Sequence, residues 1–127
     1  MPDNHPHHES LISGITEQMK HLLDNSDHAI YIYLDDRHKV CNKKYAALLG
    51  FKSPEAWAKI GDPLNETVVA KSKKNLVTAY KNAMENGKGS SVKVTWKKKS
   101  GAKVNSNVIL VPIMYNGHVM ALHFVSK

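Results

Sequence analysis

The chain has 127 residues, a mass of 14.2 kDa and a single cysteine, which is the usual size of one domain and excludes an internal disulfide or a thiolate-rich zinc site. Hydrophobic residues make up 42% and charged residues 23% of it, as in ordinary globular proteins, so a wholly disordered chain is excluded. The net charge is +7. The excess of positive charge lies in the C-terminal third of the chain, since every charged residue after Glu85 is a lysine.

Membrane insertion and secretion are not expected. The longest apolar runs, at 108–115 and 119–122, are far shorter than the roughly 20 residues of a membrane helix. The first ten residues, MPDNHPHHES, lack the cationic start and apolar core of a secretory signal. We therefore predict a cytoplasmic protein with no membrane partner.

The N-terminal region divides into two parts. Residues 1–8 are polar, with three histidines and two prolines, and are predicted to be a disordered tail. A flexible tract lacks the fixed geometry of a metal site, so no metal is assigned. Residues 9–24 are predicted to form an amphipathic helix, because their apolar residues recur at three- and four-residue spacing; these are Leu11, Ile12, Ile15, Met19, Leu22 and Leu23.

A hairpin and short helices should follow. Residues 29–34 and 38–41 are predicted to pair as strands across the turn at 35–37. Asn42 is a favourable N-cap for a helix over 43–49 that ends at Gly50.

Two further helices are expected before the last strands. Ser53 and Pro54 open a second short helix, because serine caps helices and proline suits the first turn. After the break at 61–63, one long helix is predicted over 65–85, with one apolar stripe and a lysine-rich, solvent-exposed face.

The last forty residues predict three strands, at 92–97, 102–113 and 118–125. Strict alternation in the first of them turns Val92, Val94 and Trp96 inward. The other two are largely apolar on both faces, which requires a cover on the outer face of the sheet. The N-terminal helix is the expected lid, alone or with the same helix of a second chain. The lid and dimer candidates are Leu11, Ile15, Met19, Leu22, Ile109, Leu122 and Phe124; Val111 and Met120 would lie on the same outer face.

This order of elements, together with three motifs, resembles the PAS family. The motifs are CNKKYAALLGF at 41–51, KSG at 99–101, and VPI at 111–113 followed by Gly117. The resemblance covers about residues 25–127. It implies an α+β, profilin-like fold, with helices on the inner face of a five-stranded antiparallel sheet and a pocket between them.

The resemblance also implies pocket residues. Trp96, Ser106 and His123 match positions where flavin-binding members place polar groups, and Tyr80 is a further candidate. His123 could orient a ligand or sense protonation. Equally, it could be a core histidine paired with the hydroxyl of Ser106 or Tyr80. Trp96 could stack on a planar ligand or simply fill the space.

The cofactor is left open, although two kinds are disfavoured. Residues 61–66 contain no cysteine for a flavin photoadduct, and residues 65–85 contain no histidine for haem. Cys41 is predicted to be a buried, inert thiol, because no cationic group beside it favours a thiolate.

Function is predicted to be sensory and not enzymatic. With no output segment in the chain, we expect the signal to pass through association: a homodimer through the N-terminal helix and outer sheet face, and contact with a signalling protein. One alternative is a small enzyme of cone-shaped α+β type, but the late strands offer only His118 and His123 as bases. The other is nucleic-acid binding through Trp96 and the lysines at 97–99, which the inward direction of Trp96 disfavours.

Overall fold

The structure is a computed structural model that describes the backbone of residues 6–127 and the side chains of residues 8–127. Its helices are α1 (Pro6–Gln18), α2 (Lys20–Asn25), α3 (Lys43–Leu49), α4 (Pro54–Ala58), α5 (Pro63–Thr67) and α6 (Ala70–Asn86). Its strands are β1 (Ala29–Asp35), β2 (His38–Cys41), β3 (Ser90–Lys97), β4 (Lys103–Tyr115) and β5 (His118–Ser126). Across residues 6–127, no helix combines the length and apolarity needed to cross a bilayer.

One antiparallel sheet, in the order β2-β1-β5-β4-β3, divides two apolar cores. The larger core lies between the inner face of the sheet and helices α3 to α6. The smaller core lies on the outer face, beneath α1 and α2. The predicted α+β fold with a five-stranded antiparallel sheet is confirmed.

Asn42 joins the sheet to the first helix of the inner layer. Its Oδ1 accepts the backbone N–H of Tyr45, as an N-cap should, and also that of Ile30 in β1, each at 3.0 Å. Its Nδ2 donates to the carbonyl of His28 at 2.8 Å. Gly50 ends α3 with a φ of 84°, the left-handed conformation that glycine accepts without strain.

The prediction of a single long helix over residues 65–85 is wrong. The chain forms α5, leaves the helical conformation at Val68 and Val69, and resumes as α6. Val68 forms an isolated bridge with Trp96, and the Val69 N–H donates to the Thr95 carbonyl at 3.1 Å. The run of β-branched residues from Thr67 to Val69 weakens the helix there, so contact with the edge of β3 prevails.

The N-terminal prediction needs two corrections. Residues 1–5 of the predicted tail lie outside the described residues, but residues 6–8 belong to the first turn of α1. The helix predicted over 9–24 is present as α1 and α2, which are interrupted at Met19.

The two N-terminal helices cover part of the outer sheet face. Leu11 and Ile15 are buried against it, Met19 and Leu22 are half-buried, and beneath them Met120 and Leu122 are buried. Gly14 permits this approach, because a Cβ there would collide with the Tyr115 hydroxyl. The cover is incomplete over β4 and β5: Val111 and Phe124 are half-buried, and Ile109 remains 52% exposed.

Candidate functional site

A cavity of about 300 Å³ lies between the inner face of the sheet and the helices. That volume is at the lower end of the range typical of small-molecule sites. Its wall is mainly aromatic and aliphatic, with charged groups near the mouth. The residues that line it are Tyr31, Tyr33, Asp36, Tyr45, Trp57, Asp62, Pro63, Leu64, Thr67, Val68, Leu76, Val77, Tyr80, Lys81, Trp96 and His123.

Tyr31 is at the centre of the aromatic wall. It pairs with His123 across β1 and β5, and the two rings stack with centroids 3.8 Å apart and an interplanar angle of 10°. Tyr45 and Trp57 pack against the Tyr31 ring at 4.6 and 5.4 Å. Because each ring is held by others, the wall is a rigid surface for a ligand.

His123 is buried on this wall, and its Nδ1 has no hydrogen-bond partner within residues 8–127. Burial lowers the pKa of His123 to about 3, although backbone hydrogen bonds with Ala121 and Tyr31 act in the opposite direction. The side chain is therefore neutral at physiological pH. Of the predicted roles, orienting a ligand fits this state, whereas sensing protonation near neutral pH does not.

Two buried tryptophans differ in how their indole N–H groups are used. Trp96 Nε1 donates to Ser106 Oγ at 2.6 Å, and Ser106 in turn donates to the Val94 carbonyl at 3.1 Å. Trp57 Nε1 is buried and has no hydrogen-bond partner in the part of the chain that the structure describes. Trp96 is therefore fixed in the cavity wall by Ser106, which is not among the lining residues. Of the two hydroxyls considered as partners of His123, that of Ser106 bonds to Trp96 and Val94 instead.

Tyr80 lies on α6 and is half-buried at the cavity. Its ring meets Tyr33 edge to face at 5.3 Å. Burial, with Asp35 and Asp36 nearby, raises the pKa of Tyr80, so its hydroxyl remains protonated and able to donate. Three of the four predicted pocket residues thus line one cavity: Tyr80, Trp96 and His123.

Lys39 lies outside the cavity lining but stabilises the helix that carries Trp57. It is only 5% exposed, and its Nζ donates to the carbonyls of Asp36, Ala58 and Ile60, the last two at 3.0 and 2.6 Å. Nζ also lies 5.3 Å from the centre of the Trp57 ring. Burial lowers the pKa of Lys39. This lysine fixes the end of α4, and with it Trp57, to the β1–β2 hairpin.

Cys41 is buried on β2, and burial raises its pKa to about 12. The thiol stays protonated, which is the inert state predicted for it. No cysteine is among the residues that line the cavity, and α5 and α6 contain no histidine. The residues present therefore do not fit a flavin photoadduct or a histidine-ligated haem of the kind considered above.

Sequence reasoning missed Tyr31, Tyr45 and Trp57 as cavity residues. A signal existed in β1, where tyrosines alternate with the aliphatic residues Ile30, Ile32 and Leu34. That alternation separates an aromatic inner face from an aliphatic outer face. No comparable signal marked Tyr45 or Trp57, because short helices do not reveal which neighbours they will meet.

Solved structures resemble the chain, although no protein-family model and no curated protein sequence matches it. A PAS domain from Colwellia psychrerythraea has 23% identity and a TM-score of 0.69, over 89% of this chain and 96% of that chain. A PAS domain from a two-component sensor histidine kinase has 14% identity and a TM-score of 0.66, over 91% and 99%. A LOV protein from Rhodobacter sphaeroides has 13% identity and a TM-score of 0.68, over 89% and 66%.

These matches, with the sheet order and the cavity, define an α+β domain with a ligand-sized space beneath its sheet. The chain has the PAS fold, as its motifs predicted.

Proposed function

We propose that the chain is a sensory module in which a small molecule in the cavity alters association with a partner protein. The observation that carries the proposal is that two residues of the cavity wall, His123 and Trp57, each have a buried polar atom with no hydrogen-bond partner among the described residues, His123 Nδ1 and Trp57 Nε1. Buried polar groups are nearly always hydrogen-bonded, and a ligand would supply what the protein does not. PAS domains in sensor proteins, such as the sensor histidine kinase above, support the sensory part.

The wall specifies the chemistry of the ligand. An indole N–H can only donate, so the ligand needs a hydrogen-bond acceptor facing Trp57. Neutral His123 can donate or accept according to its tautomer. The interior offers neutral aromatic groups, and burying an unpaired charge there would be costly. We therefore propose a small, uncharged and partly planar compound.

Changing Trp57 to phenylalanine is expected to reduce ligand retention about tenfold, which corresponds to one lost hydrogen bond of about 1.4 kcal/mol. Native mass spectrometry and an absorbance spectrum of freshly purified protein measure the bound fraction and show any colour. His123→Phe should reduce retention similarly.

Trp96→Phe is the matched control for this measurement. It removes the same ring volume, but from an indole already committed to Ser106, so it should retain more ligand than Trp57→Phe. A wild-type protein with no added mass under native conditions would contradict ligand binding. Equal losses in both tryptophan variants would show that shape, and not the donor, holds the molecule.

A route from the cavity to the surface runs along β5. His123 faces the cavity, and its neighbour Phe124 faces outward, where it pairs with Ile109 of β4. Phe124 is half-buried and Ile109 is 52% exposed, at the edge of the area covered by α1 and α2. A shift of the His123 backbone on ligand binding would therefore move an exposed apolar surface. We propose that this surface is where a second copy of the chain associates, because a patch on a two-fold axis can contact itself.

Ile109→Lys is expected to weaken homodimerisation at least about tenfold, because it places a charge at the centre of the proposed contact. Sedimentation at several protein concentrations measures the dissociation constant. Met114→Lys is the matched control. Met114 is 68% exposed on the same strand, but it is on the opposite face of the sheet from Ile109. A monomeric wild-type protein, or equal effects of both variants, would remove the dimer from the proposal.

Neither alternative function gains support. A general base works best with a pKa near the working pH, and burial lowers that of His123 to about 3. Trp96 is 1% exposed, so it offers no stacking surface to a nucleic acid. The proposal therefore assigns the domain no catalytic role and no nucleic-acid partner, and output passes through a signalling protein.

A further inference from the structure

A cluster of imidazole and carboxylate groups joins the first turn of α1 to the β1–β2 hairpin. His8 Nδ1 lies 2.8 Å from Asp35 Oδ2, and His38 Nδ1 lies 2.7 Å from Asp35 Oδ1. One potential ligand atom from each of these three residues lies within 4.8 Å of the others. All three side chains are half-buried, with 11% to 26% of the side-chain surface exposed, so the cluster is ordered but reachable from solvent.

Local backbone structure aims Asp35 at the two histidines. The register of β1 and β2 shifts between Tyr33 and Asp35, and the shift sets Asp35 opposite His38. The N–H groups of Arg37 and His38 donate to Asp35 Oδ1 at 2.9 and 2.8 Å. These bonds fix the carboxylate and leave Oδ2 directed at His8.

The surroundings of His38 match those of a metal-ligating histidine. While its Nδ1 faces Asp35, its Nε2 lies 3.4 Å from Glu9 Oε2. When Nδ1 of a neutral imidazole binds a metal ion, Nε2 carries the proton and a nearby carboxylate can accept it, an arrangement that recurs around protein-bound zinc. Glu9 and His8 both belong to α1, so the cluster depends on the position of that helix.

We propose that His8, Asp35 and His38 bind a divalent zinc ion, with water as the remaining ligand, and that the ion fastens α1 to the hairpin. Two imidazoles and one carboxylate suit zinc, whereas magnesium and calcium prefer oxygen ligands alone. At bond lengths of about 2.0–2.2 Å, tetrahedral ligand atoms lie about 3.3–3.6 Å apart. The two histidine nitrogens face different oxygens of Asp35 at 2.8 and 2.7 Å, so the side chains would rotate and each of these contacts would open by at least about half an ångström to admit one ion. The sequence predicts that His8 belongs to a flexible tail without the geometry of a metal site, whereas in the structure His8 lies in α1, which holds it in a fixed position.

Zinc titration of the chelator-treated full chain tests the site. Isothermal titration with zinc chloride is expected to show one equivalent bound, and zinc should raise the melting temperature because a ligand of the folded state stabilises it. Asp35→Asn should weaken zinc binding by at least about tenfold and abolish the shift in melting temperature. Its amide oxygen can still accept the N–H groups of Arg37 and His38, so the turn is preserved.

Three further variants separate this site from other histidines. His38→Gln should weaken binding as Asp35→Asn does. His21→Gln removes an exposed histidine of α2 and should bind like the wild type, and so should the double variant His5→Gln/His7→Gln. Loss of zinc in that double variant, with retention in Asp35→Asn, would place binding in the tail and overturn the proposal. If the wild type binds no zinc, the cluster only hydrogen-bonds α1 to the hairpin, and the proposal is equally overturned.

Discussion

Replacing Lys39 with methionine is expected to lower the free energy of unfolding by about 3 kcal/mol. Methionine keeps the apolar stem, but the carbonyls of Asp36, Ala58 and Ile60 lose their shared donor. Removing one side of a buried polar contact costs more than the contact contributes, because the groups left behind are already desolvated. For a domain stabilised by about 5–15 kcal/mol, this is a large fraction.

Urea unfolding of the wild type and of Lys39→Met at neutral pH measures the change. Lys59→Met is the matched control, because Lys59 follows the same helix and is exposed, and surface substitutions usually change stability by about 0.5 kcal/mol or less. Lowered stability should be accompanied by altered Trp57 fluorescence, since Lys39 holds α4 in place. A loss below about 1 kcal/mol would mean that burying the ammonium costs nearly as much as its three bonds contribute.

Lys39 shows where a sequence pattern fails. A lysine in a short strand is normally a solvent-facing residue, and nothing near position 39 marks three converging carbonyls. Those carbonyls come from the hairpin turn and from the end of α4, and they meet only in the folded chain. By contrast, Asn42 and Gly50 could be assigned correctly, because capping depends on neighbours within a few residues.

The same difference between local and long-range contacts explains why the helix predicted over 65–85 is in fact two helices, α5 and α6. The apolar stripe over 65–85 satisfies helical spacing, yet Val68 bridges to Trp96, some 28 positions later. Spacing predicts which residues can share a face, but not that a strand edge will compete for the backbone. The cavity follows this rule as well: alternation predicted that Trp96 faces inward and the family resemblance pointed to His123, whereas Trp57 reaches the cavity only through tertiary packing.

The stability of the protein is expected to fall in acid because of His123. In the unfolded chain a histidine has a pKa of about 6.5, whereas burial lowers that of folded His123 to about 3. Between these values the unfolded state binds a proton that the folded state does not accept. The contribution of His123 is therefore fully present above about pH 6.5 and is lost as the pH falls, at about 1.4 kcal/mol per pH unit, or about 2 kcal/mol at pH 5.

Urea unfolding between pH 7 and pH 4.5, for the wild type and for His123→Phe, measures this loss. Phenylalanine keeps a ring against Tyr31 and removes the titration, so the stability of the variant should fall less steeply, whatever its value at neutral pH. His21→Phe, which replaces an exposed imidazole, should follow the wild type. Parallel curves for the wild type and His123→Phe would mean that water or a ligand reaches the buried ring.

The pH measurement also bears on the ligand. A bound molecule that hydrogen-bonds to neutral His123 selects the same unprotonated state that burial selects, so above about pH 3 acid should release it only where the protein unfolds. If ligand release and unfolding follow the same pH dependence in the wild type, and both become less steep in His123→Phe, one buried imidazole couples the cavity to the stability of the sheet. Release that keeps its pH dependence in the variant would assign the coupling to another group on the cavity wall.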